Sequence, residues 1–156
     1  MKDASPQYAG FWIRFKAWLI DCIASTAVSA ALAIVVGISL GIGLSLSDTD
    51  PDLATWLCHA TGCVLGLLVY IIYFVAFESS KLQATPGKIF CHLKVTDIRG
   101  ERLSMPAAAF RLFGKFLSGF LFGFGFIVCD FTEKHQALHD IIAHTLVIRR
   151  VTEDEP

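Results

Sequence analysis

Two stretches of this chain stay free of charge over lengths that water-soluble folds seldom sustain. The first runs from Cys22 to Ser47, 26 positions inside a longer apolar segment at residues 11–47. The second is residues 53–77, 25 positions that end in Tyr70, Tyr73, Phe74 and Phe77. About 20 apolar residues carry a helix across the hydrocarbon core of a bilayer. Both segments are therefore expected to be transmembrane helices. Between them, SDTDPD at residues 47–52 has three carboxylates and no base. It reads as a turn, and Pro51 among Asp and Ser residues also suits a helix start.

The pattern changes at Glu78. Residues 78–105 carry Lys81, Lys88, Lys94, Arg99 and Arg102. From Lys88 to Thr96 apolar and polar residues alternate: Ile89, Cys91, Leu93 and Val95 on one face, Lys88, His92, Lys94 and Thr96 on much of the other. Period two predicts a strand. DIRG at 97–100 then reads as a turn and residues 101–104 as a short return strand. Residues 106–129 are apolar again, but only 116–129 lack charge, 14 positions, too short for a comfortable crossing. Gly114, Gly119, Gly123 and Gly125 weaken a continuous helix there, and seven phenylalanines crowd it. A third span and a re-entrant hairpin both fit. In residues 130–156, Leu138, Ile141 and Ile142 make a helical stripe, 146–151 reads as a strand, and VTEDEP as a disordered acidic tail. The expected fold is an all-α membrane protein: two transmembrane helices, a third re-entrant or spanning segment, and a small cytoplasmic hairpin or sheet built from 88–96, 101–104 and 146–151.

Charge orients this arrangement. Seven Lys/Arg lie between Glu78 and Lys115, whereas the 47–52 turn has none. The positive-inside rule then places the N-terminus and residues 78–105 in the cytoplasm of a multi-pass plasma (inner) membrane protein. If the third segment re-enters, all thirteen Lys/Arg fall on that side. It also lets 146–151 pair with 88–96, covering an otherwise open strand edge. Trp12 and Trp18 suit the headgroup level at the entry of the first span. Gly37, Gly41 and Ser45 recur every fourth position, a spacing that permits close helix approach, or are glycines merely tolerated in lipid. A net charge of -1 argues against nucleic acid as a partner. Five dispersed cysteines read as buried thiols rather than a disulfide framework.

Asp21 lies just inside the first span, seven residues after Arg14. Two helical turns put them on one face about 10.5 Å apart along the axis, too far for a direct pair. A buried carboxylate needs a partner, and Arg111, projecting from an apolar segment, is the expected one, with Arg14 and Asp140 completing the network. The network is read either as a structural lock or as a transport and proton-relay site at the cytoplasmic mouth.

Three stretches resemble one family in the expected order. They are FWIRFKAWLID at 11–21, ESSKLQATPGKIFCHLKVTDIRG at 78–100, and QALHDIIAHTLV at 136–147. They resemble the RDD membrane-protein family, whose namesake charged residues match Arg14, Asp21 and Asp140, with Arg111 at a further basic position. The chain departs from the family pattern at Cys91-His92 and at His144. The resemblance implies an integral membrane protein, with transport suspected and cation/proton exchange in some members, and names no common substrate.

Other chemistry finds less support. His135 and His139 lie one turn apart, as do His59 and Cys63, and imidazole and thiolate suit zinc or copper. They fall at different depths without C-x-x-C or H-E-x-x-H, so no metal or other cofactor is expected. No G-x-S-x-G occurs, and FLFGFG at 120–125 lacks the Lys-Ser/Thr of a phosphate loop, so an enzyme is not expected. The basic segment either holds anionic headgroups or only orients the spans. Two functions stay open: a small transporter or cation/proton exchanger working as a homo-oligomer, since two spans enclose no pathway, or a non-transporting subunit that assembles a membrane partner. The ligand is not readable.

Overall fold

The computed structural model describes residues 7–120 and 124–150. The expected acidic tail, Val151 of the third strand and Phe122 and Gly123 of the glycine-rich stretch lie outside the described residues. The chain is mostly helical and divides into two compact units, one of Met1–Asp21 with Phe74–Pro156 and the other of Cys22–Tyr73.

Two helices supply the second unit. Helix α1 is Phe11–Leu46 and helix α2 is Pro51–Ser79. Both are long and apolar enough to cross a membrane. The turn between them forms because Asp50 caps α2: its carboxylate accepts the amides of Asp52 and Leu53 at 3.0 Å, ahead of Pro51 at the first helical position. Hydroxyls in the apolar stretch donate to carbonyls one turn back, Ser29 to Ser25, Ser39 to Val35 and Ser45 to Gly41. Each polar group is thus satisfied by its own helix, which is what a hydrocarbon environment demands. Ile34, Val35, Ile38, Ile42, Val64 and Ile72 point outward as a lipid-facing surface would. A Cβ added at Gly37 or Gly41 would meet nothing within 4 Å, so no neighbour among the described residues uses their smallness.

In the other unit a two-stranded antiparallel sheet pairs β1, Leu93–Asp97, with β2, Thr145–Arg149. Its edges are covered. Tyr8 bridges Ile148 and the Ala9 amide donates to Val147 O at 3.0 Å beyond β2. On the β1 side the Val95 amide donates to Gln83 O at 2.7 Å. Ala9, Ala17, Cys91, Leu93, Val95, Leu103, Ala108 and Val147 form the core.

The structure corrects two strands. Residues 88–90, expected to begin the first strand, belong instead to helix α3, Pro86–Phe90, because Thr85 is extended, Pro86 sits at the first helical position, and His92 with φ 53° turns the chain into β1. Residues 101–104 do not join the sheet. Gln83 intervenes, its Nε2 donating to both Val95 O at 3.2 Å and Glu101 O at 3.3 Å. The turn before them forms as expected, Asp97 accepting the amides of Arg99 and Glu101 at 2.8 and 2.7 Å.

The third apolar segment begins as α4, Met105–Phe120. Ala108, Arg111, Leu112, Gly114 and Ser118 are buried, while Phe110, Phe113, Phe116 and Phe120 are exposed. After it, α5, Phe124–Ile127, and a 3₁₀ turn, Val128–Phe131, run at 119° to α4. Gly125 sits on α4 so closely that a Cβ there would reach 2.5 Å from Ser118 Oγ. Helix α6, Leu138–Ile142, then packs on α4 and leads into β2. Its end repeats that of α3, with His144 at φ 50° turning the chain into a strand. Because β1 precedes this segment and β2 follows it, their pairing brings both of its ends to one sheet.

Candidate functional site

The candidate site is a set of ionisable side chains in the sheet-containing unit, each brought by a different element. Arg14 and Asp21 come from the start of α1, Glu78 from the end of α2 and Lys88 from α3. Arg111 and Lys115 come from α4, one turn apart on its buried face, and His139 and Asp140 from α6.

Asp140 is wholly buried and is the most heavily bonded acid. Its Oδ1 accepts Arg111 Nε at 2.8 Å and Nη2 at 2.6 Å, a side-on guanidinium pairing, and the Thr145 hydroxyl at 3.3 Å. Its Oδ2 accepts Arg14 Nη1 and the Ala137 amide, the latter at 3.2 Å, so the carboxylate also caps its own helix. Burial alone would raise the Asp140 pKa. The Arg111 guanidinium, with His139 and Arg14, outweighs it and holds the carboxyl well below the usual range. Arg14 is fixed in turn by donating to Ala9 O at 2.7 Å and to His135 O at 2.5 Å.

Asp21 is equally buried but differently used. Thr85 Oγ1 donates to its Oδ2 at 2.5 Å and the Gly87 amide to its Oδ1 at 2.8 Å. The acid thus takes two donors from the TPGK segment and docks α3 on α1. Glycine is required at 87: a Cβ would press on Ala17 O and lie 2.8 Å from Asp21 Cγ. The expected pairing of Asp21 with Arg111 is replaced, since the Arg111 hydrogen bonds go to Asp140 and Glu78.

Glu78 is the residue the sequence reasoning passed over. It is 1% exposed, and three cations converge on it. Lys88 Nζ and Lys115 Nζ both donate to Oε1, at 2.5 and 2.8 Å, and Arg111 Nη1 donates to Oε2 at 2.8 Å. Lys115 Nζ also stands 4.4 Å from the centre of the Phe74 ring. The signal in the sequence was its position: an acid at the last turn of the second span, followed by a run of bases with no other acid before Asp97.

Arg14, Asp140, Arg111, Glu78, Lys88 and Lys115 thus form one connected ion-pair network in which four cations meet two carboxylates. His139 lies beside it, Nε2 3.4 Å from Asp140 Oδ1, its ring against Phe126 and its Cα and Cβ filling the space above Gly114. Burial lowers its pKa to about 3 against the pull of Asp140, so the ring is neutral. Its Nδ1 has no hydrogen-bond partner among the described residues. His59 and Cys63 belong to the other unit, where the His59 Nδ1 bonds Thr55 O at 2.9 Å.

The model of the RDD family matches residues 8–144, which include every residue of this network. The chain is 34% identical over 153 residues to the uncharacterized protein YxaI of Bacillus subtilis (strain 168), covering 90% of this chain and 96% of that one. It is 28% identical over 143 residues to the uncharacterized membrane protein YteJ of the same organism, covering 90% and 80%. The uncharacterized protein RP437 of Rickettsia prowazekii (strain Madrid E) is 36% identical over 83 residues, covering 53% and 46%. No solved structure matches. With two helices of spanning length, three matching motifs and a family model over most of its length, this chain belongs to the RDD family of integral membrane proteins.

Proposed function

We propose that the protein is a small proton-linked carrier of the plasma membrane, not an enzyme, and that it works as an oligomer because two spans enclose no pathway of their own. The observation that carries this reading is the surplus of buried cations around Glu78 at the end of α2. Burying an unpaired charge costs several kcal/mol, roughly, so a surplus of cations persists where release of a proton or a bound anion relieves it. A pure structural lock needs no surplus. The basic 78–105 segment supports a cytoplasmic N-terminus, sheet and C-terminus. The β1–β2 pairing supports a third segment that enters the bilayer and returns, with Phe110, Phe113, Phe116 and Phe120 toward lipid.

A second reading, a non-transporting subunit that assembles a partner, is favoured by the full engagement of Asp140, which leaves that acid no capacity for cargo. Flux separates the two. Proteoliposomes carrying an internal pH indicator are challenged with sodium or potassium gradients. The carrier reading expects cation-dependent proton movement that Glu78→Gln abolishes. No movement above protein-free vesicles would leave the assembly reading.

A further inference from the structure

Two lysine ammonium groups share one carboxylate oxygen in this protein. Lys88 Nζ and Lys115 Nζ lie 2.5 and 2.8 Å from Glu78 Oε1, and Arg111 occupies Oε2. One carboxylate carries one negative charge. Arg111 does not release the shortage, because its other face serves Asp140, which already holds Arg14. His139 of α6 is neutral. The charged groups that act on Lys88 are therefore Glu78 from α2 and Arg111 and Lys115 from α4, and the cations among them repel its charge.

We propose that Glu78, Lys88 and Lys115 form a proton-exchange site in which Lys88 releases and regains the proton. The two lysines differ in their surroundings. Lys115 Nζ stands over the Phe74 ring, which favours its charged form, whereas Lys88 has no such ring among the described residues and is 7% exposed. Burial pushes the Lys88 pKa down to about 7, against the attraction of Glu78 and with the repulsion of Lys115 and Arg111. The step is a simple one: the Nζ–H bond breaks, the proton passes to water, and the pair of electrons left on Nζ takes it up again. Losing the charge leaves Glu78 to Lys115 and Arg111 alone, so release of the Lys88 proton relieves part of the positive surplus. Its use in exchange rests on the carrier reading above.

The test needs no gradient. The full chain, labelled with ¹³C at the lysine ε-carbon, is placed in nanodiscs and titrated by NMR from pH 5 to pH 11. One lysine, Lys88, is expected to titrate close to pH 7. In Lys88→Arg, which keeps the charge but does not titrate, that signal disappears. In Glu78→Gln it moves to lower pH. Should Lys88→Arg not fold, Lys88→Met, close in shape to the neutral amine, replaces it. The proposal is overturned if every wild-type lysine titrates above pH 9, or if the low signal survives in the Lys88 variants. A titrating lysine without flux overturns the carrier reading and keeps the site; flux without a titrating lysine does the reverse.

Discussion

Asp140 shows most directly how one residue holds several elements. It joins α4 through Arg111, α1 through Arg14, β2 through Thr145 and the start of its own helix. Removing one partner of a buried pair costs about 3–5 kcal/mol, because the other charge stays behind. Asp140→Ala and Arg111→Ala should each lower the thermal midpoint in detergent by that order, and the double variant should lose less than the sum. Additive losses would mean the two side chains do not act as a pair. pH dependence follows from the same residue and its neighbour. The folded pKa of Asp140 is depressed, so its contribution is present above the unfolded value near 4 and is lost as pH falls toward the folded one. His139 is also depressed, to about 3, so between pH 6.5 and 3 the unfolded chain takes up a proton that the folded chain refuses. Each pH unit in that window costs roughly 1.4 kcal/mol. His139→Gln should flatten the fall in stability between pH 6.5 and about 4, as read by unfolding at a series of pH values.

At the scale of elements, short helices are placed by close contacts that only glycine permits. Gly87 lets α3 approach Ala17 and Asp21 on α1, and Gly114 lets α6 approach α4, with His139 Cα 2.9 Å from a Cβ built there. Overpacking a tight contact costs about 1–3 kcal/mol, and at Gly87 the atoms met include backbone and a buried carboxylate. Gly87→Ala should therefore reduce the yield of monodisperse protein and lower its midpoint, whereas Gly37→Ala, with open space around it, should change neither. The two helix-to-strand corners give a prediction of opposite sign. His92 and His144 hold φ near 50°, a conformation that costs a non-glycine residue roughly 1–2 kcal/mol. His144→Gly should raise the midpoint by a few degrees; a lowered midpoint would show that the imidazole contributes more than the backbone loses.

At the scale of the whole chain the third apolar segment decides the topology. Strand β1 lies before residues 106–129 and β2 after them, and the two are hydrogen-bonded from Leu93↔Arg149 to Asp97↔Thr145. A segment whose two ends meet in one sheet cannot leave those ends on opposite sides of a membrane. Reporter fusions at Gly100 and Pro156 should therefore report the same side, expected to be the cytoplasm from the seven bases between Glu78 and Lys115. Opposite sides would overturn both the return and the sheet.

Runs of uncharged residues alone determined the two long helices, because hydrocarbon admits no unpaired backbone and a span must exceed a minimum length. The motifs around Arg14, Asp21, TPGK and Asp140 determined the family for the same local reason: each is a contiguous pattern. Strand period found β1 and β2 yet ran past them at 88–90, where Pro86 and a left-handed His92 made a helix instead. Only the tertiary structure decided which charge meets which. Arg14, Glu78, Lys88, Arg111 and Asp140 stand up to 126 residues apart in the chain. Nothing local distinguishes Arg111 bonded to Asp21 from Arg111 bonded to Asp140 and Glu78. Gly87 settled it by admitting α3 to Asp21, whose carboxylate then took Thr85 and the Gly87 amide. Arg111 serves Asp140 and Glu78, and the surplus of positive charge around Glu78 became visible only once the pairs were known.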